Sequence, residues 1–416
     1  ALTFRSADSI LALSWNRGSR MSKAITQAEK PLLVFWLMTM TLLGVFPLDV
    51  VLPSFPALAE HFHTSTTHIA RSVSLFAIGF SCSMLLIGPL SDRIGRKKLL
   101  LASMVVAILG AVGCLAARNT PQFLFFRVIQ AIGCGGFILS QALVQDLFLG
   151  REQERLRIAM ATAGGIFISI SPVLGAWLQL HWGWKASFYA FIALCAATWI
   201  MAHRLLHGGF PPTAPSERGI FRAYAKVFAN RHFASYATIS AITFACHFSF
   251  IVVSPLIFMD QLKLSPHEYS LTLLLYGAAY VVGGLCAGVL HKRLAAATQM
   301  AVGLVLIAIS GVVMLLLAYL FGLSTPTVLV PMLLCTAGTT ITRPISNSKA
   351  MSLFPDNAGA AASAVAAVLF IAGGCISAFI STFTHQLSTA LGLCFLILSL
   401  AALALNSWAR RRPHVL

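Results

Sequence analysis

Charge is scarce in this chain. Only 10% of the 416 residues are Asp, Glu, Lys or Arg, and twelve are acidic, where a soluble globular domain carries about 25% charged residues. That is too little polar surface for a cytosolic enzyme, a disordered segment or a disulfide-stapled secreted domain. The nine cysteines lie in apolar stretches and form no C-x-x-C pair, so they read as small hydrophobes with no expected metal or disulfide role. No G-x-x-x-x-G-K-S/T phosphate loop and no H-E-x-x-H motif occurs, and no Ser, His and Asp stand in the context of a triad. These absences argue against nucleotide-driven chemistry and hydrolysis, and neither an enzyme nor a resident cofactor is expected.

What is abundant is apolar: 58% of residues are hydrophobic and the mean hydropathy is +0.84. A bilayer-crossing helix needs about 20 predominantly apolar residues. Twelve such spans are expected, at 31–55, 67–90, 97–117, 121–145, 158–180, 187–206, 234–258, 268–290, 297–320, 326–350, 358–382 and 388–408. Residues 1–20 begin without a methionine while Met21-Ser22-Lys23 reads as an ordinary start, so residues 1–20 are set aside as translated upstream sequence or a natural extension.

The net charge of +17 would suggest a nucleic-acid partner in a soluble chain. Here 23 of the 29 basic residues fall on the termini and on alternate loops, and the opposite loops hold only Arg118, Lys185 and Lys263. That asymmetry predicts an even number of spans with both termini cytoplasmic and removes the nucleic-acid reading. The expected organisation is a cytoplasmic segment at 1–30, a six-helix half at 31–206, a linker at 207–233, a second six-helix half at 234–408 and a basic tail at 409–416. The linker contains Pro211, Pro212 and Pro215, then an amphipathic stretch from Ile220 to Phe228.

A partial repeat accompanies the two halves. Span 2 ends Gly88-Pro89-Leu90-Ser91-Asp92-Arg93-Ile94-Gly95-Arg96-Lys97-Lys98, and 195 residues later span 8 ends Gly283-Gly284-Leu285-Cys286-Ala287-Gly288-Val289-Leu290-His291-Lys292-Arg293. The first of these segments resembles the loop signature of the major facilitator superfamily. It places a carboxylate, a glycine turn and a basic cluster at one helix end, a latch that charge can hold and that rocking halves can break.

In span 4, Arg127-Val128-Ile129-Gln130-Ala131-Ile132-Gly133 resembles the R-x-x-Q-G-x-G motif of the drug:proton antiporter branch, with Ala131 in place of a glycine. Span 5 holds Ser171-Pro172-Val173-Leu174-Gly175-Ala176, similar to its G-P-x-x-G-G motif. Leu48-Asp49-Val50-Val51-Leu52-Pro53-Ser54-Phe55-Pro56 and Trp184-Lys185-Ala186-Ser187-Phe188 resemble segments of Bcr/CflA-type multidrug efflux proteins. The resemblance implies an all-α membrane protein of twelve helices in two six-helix halves. It implies a gate of Gly88, Asp92, Arg93, Gly95, Arg96 and Lys97 completed by Asp146, an antiporter element of Gln130, Gly133, Pro172 and Gly175, and a part in proton relay for Arg127.

Asp49 is the one acid well inside an apolar span. A charge at membrane depth costs about 2.5 to 3.5 kcal/mol on insertion scales, which makes a lone carboxylate a candidate proton carrier; a structural hydrogen bond is the alternative. Arg127, which does not readily deprotonate, needs carboxylate or carbonyl partners. Protonation of Asp49 would change its attraction for Arg127 or for a cationic substrate; the alternative is that Arg127 only caps carbonyls. Arg343 in span 10, with Asn347 one turn on, is read either as a cavity-facing substrate contact or as an Arg snorkelling to the cytoplasmic end. Gln141, His247, Phe76, Tyr276 and Tyr280 are further cavity candidates, with core packing as the alternative for each.

Together the residues and the resemblance lead us to expect a monomeric, proton-coupled transporter of the bacterial inner membrane. It would export a small organic, lipophilic or weakly charged molecule, its partners being that substrate, protons and the bilayer. A dedicated exporter of a metabolite such as a siderophore or nucleoside, an importer, and a non-transporting sensor are the competing readings.

Overall fold

The computed structural model of the chain describes residues 30–148, 150–206, 220–354 and 358–411. The described residues are almost wholly helical. Eleven of their helices are long and apolar enough to cross a membrane. The remaining expected span, the fifth, is the helix Gly150–Trp182, whose apolar part, Ile166–Trp182, follows a charged start.

In chain order the helices are α1 (Lys30–Asp49), α2 (Phe55–His61), α3 (Thr66–Ile94), α4 (Arg96–Ala116), α5 (Thr120–Cys134), α6 (Leu139–Leu147), α7 (Gly150–Trp182) and α8 (Lys185–Leu205). They continue with α9 (Ile220–Ala229), α10 (Arg231–Pro255), α11 (Pro266–His291), α12 (Ala296–Phe321), α13 (Thr325–Ser352), α14 (Ala358–Ile380) and α15 (Leu387–Arg411). The amphipathic stretch expected in the linker is α9, and Tyr224 Oη on it donates to the Leu85 carbonyl at 3.1 Å.

Three spans expected as continuous helices are broken, each for a local reason. The first stops at Asp49 and resumes as a 3-10 turn over Leu52–Ser54 and then α2, because Pro53 and Pro56 have no N–H to give to the preceding turn. The fourth divides into α5 and α6 across a 3-10 turn at Gly135–Ile138. There the Ser83 hydroxyl takes the Ile132 carbonyl, and a Cβ on Gly135 would lie 2.3 Å from Ser83 Oγ. The seventh ends in a π-turn over Leu256–Gln261 directly after Pro255.

Helix contacts fall into two groups. In the first, α1 packs on α7 and α8, while α5 packs on α3 and α4. In the second, α13 packs on α10, α11 and α12, while α15 packs on α10 and α12. The groups meet along two seams, α3 with α14 and α7 with α11. Small and hydroxylated residues build the first seam: Ser74 Oγ and Ser377 Oγ are 2.8 Å apart, and Ser81 Oγ donates to the Ala367 carbonyl at 2.8 Å. Such residues let helices approach closely where apolar burial gives no preference over lipid. The outer faces expose Leu86, Leu109, Leu285, Phe379 and Ile397, as a lipid-facing surface requires.

The α4–α5 contact is closer still, since a Cβ on Gly110 would fall 2.3 Å from the Gln130 backbone nitrogen. Gly110→Ala should therefore destabilise the protein by about 1–3 kcal/mol through overpacking, lowering its melting temperature in detergent. Gly284→Ala, where nothing lies within 4 Å, should not lower it.

Candidate functional site

The first constellation forms where α1 ends. Arg127 on α5 is fully buried, and its guanidinium must find acceptors because it does not give up its proton. Nη1 donates to Gln130 Oε1 at 2.8 Å, one turn along the same helix, and Nη2 donates to the Pro47 carbonyl at 3.1 Å. That carbonyl is among the last of α1, where a helix has no intrahelical donor to offer. The guanidinium carbon stands 4.5 Å from the centroid of the Phe76 ring and 5.9 Å from that of Phe188.

Asp49 follows Pro47 by two residues and is 6% exposed. Among the described residues its carboxylate forms no hydrogen bond and no ion pair. The attraction expected between Asp49 and Arg127 thus takes no direct form here; the two are joined through the final turn of α1. Gly175 on α7 abuts the same turn, and a Cβ there would lie 2.2 Å from the Val50 carbonyl, which also accepts from Ser187 Oγ at 3.3 Å. Gln130, through Arg127, and Gly175 thus both bear on the end of α1, without touching each other in any described contact. Pro172 is buried in α7 one turn before Gly175. Gly133 faces elsewhere, its missing Cβ making room for the Ala107 backbone of α4. Ser187 was not singled out, although it sits within the Trp184–Phe188 segment.

A second constellation occupies the α10–α11–α13 contact. The Arg343 guanidinium donates from Nη2 to Tyr280 Oη at 2.6 Å and lies 5.7 Å over the Phe244 ring. Tyr276 Oη is 2.6 Å from His247 Nδ1, with both side chains buried. The Asn347 carbonyl oxygen accepts from Ser240 Oγ. Arg343, Tyr280 and Asn347 are half-buried. Gln141 is exposed on α6, and no described contact joins it to this group.

Aromatic rings bridge the two constellations. Phe76 stacks on Phe80 at 6.2 Å, Phe80 meets Phe370 edge-on at 5.0 Å, and Phe370 meets Phe244 at 5.0 Å. Phe80, Phe244 and Phe370 were missed as candidates; the i, i+4 spacings Phe76/Phe80 and Phe244/Phe248 were the available signal.

The third constellation is the loop between α3 and α4. Gly95 has φ 98°, a conformation that glycine adopts without strain. Arg96 Nη1 donates to the Ala142 carbonyl at 2.7 Å and to the Asp146 carboxylate. Lys97 Nζ donates to the carbonyls of Leu206, at 2.6 Å, and His203, at 3.2 Å, at the negative end of the α8 dipole. Lys30 pairs with Glu152 at 3.2 Å. Arg93 is exposed, and Gly88 faces Ser363 of α14. The side chain of Asp92 lies outside the described residues, as do residues 1–29, 207–219 and 412–416. At the other end of α3, Thr66 Oγ1 donates to the Asp260 carboxylate, joining the two groups of helices. Among the described residues no cluster of His, Cys, Asp or Glu could hold a metal.

A helical bundle with eleven described helices long and apolar enough to cross a membrane, and with Arg127 and Asp49 buried inside it, has the make-up of a membrane transporter. The sequence profile of the Major Facilitator Superfamily matches residues 37–378, and the chain belongs to that family. It is a transporter and not an enzyme. Its relatives include "Chloramphenicol resistance protein CraA" of Acinetobacter baumannii, 29% identical over 271 residues, a match spanning 65% of this chain and 65% of that protein. "Multidrug resistance protein D" of Escherichia coli is 24% identical over 372 residues, covering 88% and 93%. The fold is shared with a D-xylose-proton symporter (TM-score 0.71, 16% identity, covering 89% of this chain and 96% of that one). It is also shared with a peptide transporter (0.76, 13%, 95% and 99%).

Arg127→Lys replaces a two-pronged donor by a point charge that cannot hold both Pro47 and Gln130. It should loosen the end of α1, raising hydrogen–deuterium exchange across Phe46–Ser54. Exchange there unchanged from wild type would contradict the geometry.

Proposed function

We propose that this chain is a proton-coupled antiporter of the bacterial inner membrane that exports small drug-like organic molecules, works as a monomer and keeps both termini in the cytoplasm. The observation that carries the reading is Asp49, a buried carboxylate without a hydrogen-bond or ion-pair partner among the described residues, in the last turn of α1 between Pro47, which Arg127 of α5 grips, and Val50, which Gly175 of α7 and Ser187 of α8 meet. Names of relatives that refer to chloramphenicol and multidrug resistance support the substrate class.

In this mechanism Asp49 alternates between a neutral form, which tolerates a dry seat, and a charged form, which needs water. The change bears on the turn of α1 that Arg127 grips and Gly175 abuts. A proton taken up on the outer side is released on the inner side, and the substrate moves the other way. The halves at 31–206 and 234–408 rock about the α3–α14 and α7–α11 seams, linked by residues 207–233. The Arg96–Asp146 pair and the Lys97 contacts with α8 latch the cytoplasmic end, with Asp92 assigned to the same latch. Thr66 with Asp260 closes the outer end, and the half-buried Tyr280, Arg343 and Asn347 are assigned to the substrate path.

The test is uptake of radiolabelled chloramphenicol into proteoliposomes under an imposed pH gradient. Wild type should accumulate it, and Asp49→Asn should fall to the leak level while still exchanging chloramphenicol down its own gradient. Accumulation by Asp49→Asn at the wild-type rate would overturn the assignment. In the same assay Asp146→Asn should slow turnover while leaving chloramphenicol binding within about twofold of wild type.

A further inference from the structure

The half-buried site around Arg343 offers donors and no charged acceptor. Arg343 makes one hydrogen bond among the described residues, to Tyr280, and no ion pair, so four of its five N–H groups remain for a ligand. Tyr280 Oη accepts that bond, which leaves its own O–H free to donate. Asn347 has its carbonyl oxygen on Ser240, which leaves its amide N–H groups. His247 is engaged with Tyr276. No described carboxylate pairs with the guanidinium; Asp49 lies at the end of α1, on another helix group. Phe244, under the guanidinium, and Phe370, edge-on to it, form an aromatic wall.

A cation entering this site meets Arg343 with like charge. A neutral ligand desolvates the guanidinium without replacing its water partners, a net cost. An anion satisfies it, and a planar carboxylate matches the fork geometry. We propose that this site takes an aromatic organic acid, its carboxylate on Arg343, Tyr280 and Asn347 and its ring against Phe244 and Phe370. The inference rests on the transport reading above and adds to its drug-like substrate class, which keeps neutral molecules such as chloramphenicol, a preference for acidic ones.

The experiment is calorimetric binding to the purified full-length chain in detergent at neutral pH, with three probes of one shape: 2-naphthoate, 2-naphthamide and 2-naphthylmethylammonium. Naphthoate should bind at least about tenfold more tightly than the amide, with the ammonium weakest. Arg343→Gln should bring naphthoate down to the amide while leaving the amide unchanged. Tyr280→Phe, which keeps the guanidinium, should weaken naphthoate by about fivefold and serves if Arg343→Gln misfolds. No binding by any probe, an amide or ammonium that binds as well as naphthoate, or a preference that survives Arg343→Gln would each overturn the proposal. Gradient-driven chloramphenicol uptake, measured on the same preparation, reads the transport proposal separately. Uptake without acid preference sinks the inference alone; acid preference without uptake sinks the transport reading and leaves the acid site standing.

Discussion

A guanidinium buried inside a membrane bundle needs acceptors; among the described residues Arg127 Nε has none, Nη1 donates to Gln130 on its own helix, and Nη2 donates to the end of α1. That last partner is a carbonyl that exists as a free acceptor only because α1 stops. The stop is written in Pro53 and Pro56, whose missing N–H groups prevent α1 from running on as one regular helix. Asp49 is thereby placed at a helix end held from three sides: by Arg127 through Pro47, by the bare Cα of Gly175 against Val50, and by Ser187. The aromatic rings of Phe76 and Phe188 complete the seat without adding a counter-charge. A negative partner on Arg127 itself would satisfy it more strongly, but it would leave Asp49 no independent freedom to change charge.

Elsewhere the helix contacts differ in how closely they are packed. The α4–α5 contact is backbone against backbone at Gly110 and Gly133, a geometry with no slack. The α3–α14 seam is instead a row of hydroxyls and small residues, in which Ser74, Ser81 and Ser377 exchange modest hydrogen bonds. Bonds of that strength, about 1 kcal/mol each, can be remade as one group slides on the other. Rings from Phe76 to Phe244 then connect the tight centre beside Arg127 with the open site beside Arg343 across that seam.

The spans were legible because apolar runs of bilayer length and the placement of Lys and Arg leave little freedom, and the boundaries of α3, α4, α11, α12 and α15 lie close to those expected. The breaks were less legible. Pro53 and Pro56 could be seen, but the 3-10 turn at Gly135–Ile138 depends on Ser83 of another helix, and no local pattern carries that. The same holds for the sites. Arg127, Gln130 and Gly175 were visible through their motifs, yet that Arg127 grips Pro47 and leaves Asp49 apart is a tertiary fact. Tyr280, Arg343 and Asn347 could be named as polar residues in apolar helices. That they converge depends on how α10, α11 and α13 pack. Lys97 on the end of α8 was hidden within a basic cluster whose members look alike in sequence.

The proposed proton relay requires that Arg127, by holding the end of α1, set the environment in which Asp49 gains and loses its proton. Infrared difference spectroscopy of the purified protein across a pH titration addresses it directly. A protonated-carboxyl band should titrate in wild type, be missing in Asp49→Asn, and move in frequency and midpoint in Arg127→Lys. A band absent from wild type, one that persists in Asp49→Asn, or one that titrates identically in Arg127→Lys would contradict it.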